Sequence, residues 1–292
     1  MEHLTEEASR LLHNSLATNT HSTYNTALQQ FTNFRIQYNL AQSWPAPVDQ
    51  LLHYLAFMSV QGRSFRTTQL YVSAISHFHK LQGHFDTTKV YIVFKTLQGI
   101  RKTLGIPKDI RVPISLQLLA NIIQVLPTIC RSPYESSLFI AAYCLAYFGL
   151  LRISEVLTLQ LSNLHFQPSG NITLTIPKSK TDQLGHSTTV QIQSQYGVLR
   201  PPTLILGYIK IRPGNHPTLL IHVDGKPITR FQFQSILQKS LSSLNVPGHY
   251  RSHRFRIGMA TELANLGISH SQIQTLGRWS SNAFLSYIRP IE

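Results

Sequence analysis

Apolar residues recur at helical spacing through the first hundred positions. Tyr24, Leu28, Phe31, Phe34 and Tyr38 follow a capping Thr20 or Ser22, which predicts a helix. Trp44-Pro45-Ala46-Pro47 interrupts the pattern as a turn. A second helix opens at Val48, carries Leu51, Leu52, Leu55 and Met58, and ends at Gly62. A third covers 66–81, with Leu70, Ile75 and Phe78 on its apolar stripe. Asp86 caps a fourth, which runs through Val90, Val93, Phe94, Leu97 and Ile100. Four amphipathic helices joined by short loops predict a small bundle, with the aromatic stripes as its core.

Two prolines then break the helical period within 105–113, a polar and basic stretch. The spacing predicts a helical domain over 1–104, a linker over 105–113 and a second domain over 114–292. Ser115 caps a helix through Leu118, Leu119, Ile122, Ile123 and Leu126, and Pro133 starts a strongly apolar one that Gly149 ends. After Asn163 the period changes to two. Residues 164–166, 171–176 and 188–192 read as strands, with a turn at Pro168-Ser169-Gly170 and a hairpin tip over 177–186. Two further helices flank an extended 219–223 segment, a connective stretch without chemistry. A helix then follows from 253, with Gly267 as its C-cap, and a shorter one over 269–276 ends at Gly277.

Charge changes this picture from a fold to a class of partner. Lys and Arg number 26 against 12 acids, a formal net charge of +14. Such an excess points to a polyanion, although a merely basic, ribosomal-type fold has it too. Arg63, Arg66, Lys80, Lys89, Lys95, Arg101 and Lys102 lie on the polar faces of the first domain, a surface suited to a phosphate backbone. Cys130 and Cys144 have no metal spacing, and Cys144 reads as a buried thiol. The N-terminus is polar and no apolar run reaches the roughly 18 residues of a membrane span. A soluble intracellular protein is expected.

The candidate chemistry is cationic. Arg152 sits where the apolar helix breaks, although a salt bridge to Glu155 is its ordinary reading. Its position suggests an anion site made of a guanidinium and free backbone N–H groups. Lys178 and Lys180 compete for the hairpin tip. His253 and Arg256 are three apart, on one helix face. Trp279 and Tyr287 follow. The acids beyond the linker, Glu135, Glu155, Asp182, Asp224, Glu262 and Glu292, are scattered along the chain. They make no carboxylate cluster, so no metal and no cofactor is expected.

In this order the residues resemble the tyrosine recombinase, or phage integrase, family. That family carries an Arg in a G-L-R-x-x-E context, a hairpin Lys, an H-x-x-R pair, a His or Trp, and a nucleophilic Tyr. The matching positions are Arg152, Lys180, His253, Arg256, Trp279 and Tyr287. Gly149 stands one place before the family's usual glycine, and Trp279 lies one residue nearer the tyrosine than is usual. The Gly277-Arg278-Trp279-Ser280-Ser281-Asn282-Ala283-Phe284 ending and the Ser179-Lys180-Thr181-Asp182-Gln183 hairpin look most like the eukaryotic mobile-element branch, the Crypton and DIRS-type recombinases.

The resemblance implies a mainly α fold: an N-terminal helical core-binding domain and a mixed α+β catalytic domain with a small β-hairpin sheet. It implies that the domains wrap double-stranded DNA as a clamp. Tyr287 would attack a phosphodiester to form a 3′-phosphotyrosine. Arg152, Arg256, His253 and Trp279 would hold the phosphate, His253 would serve as base, and Lys180 would protonate the leaving 5′ oxygen. Strand exchange would proceed without metal or ATP in a homo-oligomer, a dimer per site and a tetramer in synapsis, in the nucleus if the source is eukaryotic. A catalytically inactive DNA-binding descendant and a type IB topoisomerase are the competing implications.

Overall fold

The computed structural model describes residues 1–105, 111–177, 187–214, 216–248 and 250–289. Most of the expected linker, and the hairpin tip with Lys178, Lys180 and Asp182, lie outside the described residues. The chain divides into two compact units, Met1–Asp109 and Ile110–Glu292. It is mainly helical, with one small three-stranded sheet.

The first unit contains α1 (Glu2–Asn14), α2 (Thr18–Gln37), α3 (Val48–Val60), α4 (Phe65–Leu81) and α5 (Tyr91–Leu104). The predicted stripes meet in its core, where Phe31, Phe34, Leu51, Tyr54, Leu55, Met58, Ile75 and Val93 are buried. The loop before α3 is tied to α4 through the buried His79, whose Nε2 accepts the Ala46 N–H at 2.9 Å. Two elements differ from the sequence reading. Helix α1 buries no residue, so no core position shaped its pattern. Asp86 caps a single 3₁₀ turn, Thr87–Lys89, and not α5. Its carboxylate accepts from Ser76 Oγ at 2.5 Å and Thr88 Oγ1 at 2.6 Å, and α5 begins only after the extended Val90. The seven basic residues expected on the polar face are all exposed.

The second unit opens with α6 (Leu116–Ile129) and α7 (Pro133–Phe148), capped by Ser115 and Ser132. Helix α7 is buried almost all round between Leu138 and Phe148, as expected for the central helix of a domain. The short α8 (Ile153–Thr158) follows, then β1 (Leu164–Phe166), β2 (Ile172–Ile176) and β3 (Thr188–Ile192). These pair antiparallel in the order β1-β2-β3, with Leu164 opposite Leu174 and Ile172 opposite Ile192. Ile172, Leu174, Ile176, Val190 and Ile192 face the core, which is the alternation seen in the sequence. Then come α9 (Pro201–Ile211), α10 (Arg230–Ser243), α11 (His253–Asn265), α12 (His270–Leu276) and a 3₁₀ turn, Asn282–Tyr287. Among the described residues no helix is long and apolar enough to cross a membrane.

Helix α11 is held close to the segment before α6. The Ile114 N–H donates to the Arg254 carbonyl at 3.3 Å. A Cβ on Gly258 would lie 1.8 Å from the Ile114 carbonyl oxygen and 2.9 Å from Tyr147 Cε2. Only glycine allows that approach, and it fixes the face on which His253 and Arg256 are presented.

Candidate active site

Arg152 is placed by the way α7 ends. Gly149 N–H returns to Leu145 O, Leu150 N–H to Tyr147 O and Leu151 N–H to Ala146 O, which closes the helix with a left-handed residue. That residue is Leu150, at φ 47°, and not Gly149 at φ −81°. The sequence reading put the break at Gly149; the sharp reversal falls one residue later, on a side chain that stays in the core. Arg152 then caps α8. Its backbone N–H donates to Glu155 Oε2 at 2.8 Å and its Nη1 to Glu155 Oε1 at 2.7 Å. One of the backbone N–H groups expected to be free at this helix start, that of Arg152, is therefore taken. The guanidinium is one-fifth exposed and can still meet an anion.

Arg256 is 1% exposed. Nη2 donates to the Gly277 carbonyl at 2.7 Å, whereas Nε and Nη1 have no partner among the described residues. Its Cζ lies 4.5 Å from the Trp279 ring centroid and 5.8 Å from that of Tyr287. Burial, then Arg152 and Arg278, press its pKa downward; Glu155 and Tyr287 oppose them. Several cations in one partly desolvated place raise one another's electrostatic energy.

Gly277, Arg278 and Trp279 make the second reversal. Arg278 N–H returns to Thr275 O and Trp279 N–H to Gln274 O, with Arg278 left-handed at φ 55°. A Cβ on Gly277 would fall 1.6 Å from Trp279 Cζ3, so the indole lies directly over the glycine. The turn sends the two neighbours different ways. Trp279 goes to Tyr287, ring centroids 5.0 Å apart and edge-on. Arg278 goes to Glu155, with Nη2 2.9 Å from Oε2, and to the Leu150 carbonyl at 3.2 Å.

Tyr287 ends the last 3₁₀ turn, which is anchored by the buried Phe284 beside Trp279. Thr261 of α11 holds the backbone at this point. Its Oγ1 donates to Tyr287 O at 3.1 Å and accepts from Arg289 N at 3.1 Å. The phenol ring packs edge-on against His253, centroids 4.8 Å apart. The His253 pKa is pushed down to about 4, first by burial and then by Arg256, Arg111, Arg152 and Arg254. The imidazole is therefore neutral at pH 7 and has a lone pair.

Of the six residues singled out in the sequence, five are described. His253, Arg256, Trp279 and Tyr287 form one contiguous cluster. Arg152 and Arg256 feel each other's charge, and Arg278 joins them through Glu155. Lys180 lies outside the described residues. Arg278 and Thr261 were not singled out. Spacing alone does not show that neighbouring Arg278 and Trp279 diverge, and Thr261 acts on a backbone 26 residues away. Among the described residues no group of three or more His, Cys, Asp or Glu has a metal-binding arrangement.

Residues 117–288 match the model of the phage integrase family, more than half of the chain, and the chain belongs to that family. The fold is similar to that of the XerH site-specific recombinase bound to palindromic difH substrate in a post-cleavage complex. That match has a TM-score of 0.69 at 17% identity, over 91% of this chain and 75% of the other. The Tn1549 transposon integrase in complex with circular intermediate DNA matches with a TM-score of 0.66 at 15% identity, over 98% and 94%. A lambda integrase dimer bound to a COC′ core site matches at 0.65 and 15%, over 99% and 79%. At these identities the likeness is one of fold. No curated protein matches the sequence.

Proposed function

We propose that the protein is a site-specific DNA recombinase that cuts and rejoins double-stranded DNA through a 3′-phosphotyrosine. The observation that carries this reading is the packing of the Tyr287 phenol against His253 and Trp279, with the Arg256 guanidinium 5.8 Å from its ring. A tyrosine kept only for packing has no need of a buried guanidinium beside it whose Nε and Nη1 have no partner among the described residues.

In this reading Arg152 and Arg256 hold the non-bridging oxygens, where charge builds as the phosphorus is attacked. Trp279 Nε1, buried without a partner among the described residues, donates to the same phosphate. Tyr287 passes its proton to neutral His253 as the O–P bond forms. The P–O5′ bond breaks, and Lys180 gives its proton to the departing oxygen. A second 5′-hydroxyl attacks the phosphotyrosine, restores Tyr287 and joins the new strands. The phosphodiester energy stays in the covalent link, so the reaction needs no ATP, and the guanidinium groups take the charge that a metal would otherwise neutralise. The exposed cations of the first unit would bind the duplex backbone, with two protomers per site and four in synapsis. The DNA complexes of these similar recombinases are in keeping with duplex DNA as substrate. The ending from Gly277 to Phe284 and the 179–183 sequence support an origin in the Crypton and DIRS-type branch, and with it a nuclear location.

A nicked suicide duplex, selected from a random-sequence library, tests the reading. Wild-type protein forms a covalent adduct in EDTA, Tyr287→Phe binds without one, and paired sites are exchanged. An adduct without exchange would favour a type IB topoisomerase, and binding without an adduct an inactive descendant. A strict Mg²⁺ requirement would remove the mechanism.

A further inference from the structure

Arg278 is a buried site arginine that the catalytic scheme leaves unused. Its side chain is 7% exposed, and its Nε and Nη1 have no partner among the described residues. It also occupies a left-handed position where glycine is the default, a conformation that costs an ordinary residue about 1–2 kcal/mol. A buried charge on a strained backbone is retained only where its surroundings fix it, and such strain clusters at functional sites.

Its contacts show what it does there. Nη2 joins the Leu150 carbonyl and Glu155 Oε2, and the same Oε2 accepts the Arg152 N–H. Glu155 is therefore shared, with one guanidinium on each carboxylate oxygen. With Arg278 absent, its full charge would fall on Arg152, and the cation meant for phosphate would be largely neutralised. With Arg278 present, Arg152, Arg256 and Arg278 outweigh Glu155 by two charges. A phosphodiester attacked by a phenolate carries two negative charges. Through its bond to the Leu150 carbonyl, the same Nη2 pins the left-handed residue that sets the turn into Arg152.

We infer that Arg278 is a positioning residue for phosphoryl transfer: it shares Glu155 with Arg152, so that Arg152 remains oriented and free to act as a cation. The inference rests on the recombinase reading and adds a residue to its site. It predicts an unusual suppression. Arg278→Ala leaves Glu155 opposed by Arg152 alone, and Glu155→Gln then removes the surplus charge.

Single-turnover cleavage of the suicide duplex should fall about 10²-fold in Arg278→Ala, the size of effect seen when one donor is lost from a preorganised site. Arg278→Lys should recover part of the loss. The double variant Arg278→Ala/Glu155→Gln should cleave faster than Arg278→Ala. Wild-type rates in Arg278→Ala, or a double variant no faster than the single, would overturn the inference, because a purely structural role gives no such suppression. A second arm needs no cleavage. In Tyr287→Phe protein, inorganic phosphate should raise the melting midpoint, less so with Arg278→Ala, and more again with Glu155→Gln added. Equal shifts would overturn the inference. If wild-type protein forms no adduct the recombinase reading fails, and the phosphate arm then judges Arg278 alone.

Discussion

His253 illustrates how surroundings decide the chemistry of a single side chain. Burial and four arginines hold its pKa at about 4 when folded, against about 6.5 in an unfolded chain. Above pH 6.5 both states are neutral and the residue costs nothing. As pH falls from 6.5 towards 4, the unfolded chain takes up a proton that the folded one refuses, and stability is lost through that window. Below 4 the loss is complete. The melting midpoint of wild-type protein should therefore fall more steeply between pH 6.5 and 4 than that of His253→Gln. Parallel curves in differential scanning calorimetry would show that the imidazole is not desolvated.

Arg278 allows a second separation at the same scale. Its backbone is left-handed while its guanidinium serves Glu155. Glycine at this position relieves the backbone and deletes the charge; alanine deletes the charge alone. Arg278→Gly should be more stable than Arg278→Ala by about 1 kcal/mol in urea unfolding, since Ala is penalised where φ is positive. Neither variant should cleave at the wild-type rate.

Elements are where sequence and structure diverge in instructive ways. Strands β2 and β3 are legible because each alternates and one face is buried, so the pattern and the packing agree. The apolar α7 is legible for the same reason. Helix α1 has no buried residue and left no core pattern to read. The turn after α7 misleads because Gly149 stands beside the position that needs left-handed freedom, and Leu150 takes it while keeping its side chain in the core. The pairing of His253 with Arg256 follows from helical spacing. The opposite courses of Arg278 and Trp279 do not, since one left-handed residue decides them.

Helix α11 carries the element-scale prediction. Gly258 sits against the Ile114 backbone, which has no side-chain freedom with which to yield. Gly258→Ala should force α11 away and cost about 3 kcal/mol, at the upper end for overpacking. The urea midpoint measures this, and the variant should also lose phosphate-dependent stabilisation as His253 and Arg256 shift together. An unchanged midpoint would mean that α11 is not held as closely as described.

At the scale of the molecule, the fold joins an α-helical unit with exposed cations to a second unit with a desolvated cationic centre. The first suits contact with any duplex backbone, because surface Lys and Arg bind phosphate regardless of sequence. The second suits one phosphate at a time. The net charge of +14 is consistent with both and distinguishes neither, which is why composition pointed to a polyanion without locating a site. The order of Arg152, His253, Arg256, Trp279 and Tyr287 is what proposes one.

Thr261 of α11 grips the chain at the Tyr287 carbonyl and at the Arg289 N–H just beyond it. Tyr287 thus packs beside Arg256 and His253 of its own polypeptide, and the proposed cleavage would take its tyrosine and its arginines from one copy. Two individually dead variants, Tyr287→Phe and Arg256→Ala, should remain dead when mixed, because neither can lend its missing part to a neighbour. Adduct formation in such a mixture, read on denaturing gels, would mean that subunits trade their tails. Its absence would make the number of cut strands a direct count of intact protomers at the junction.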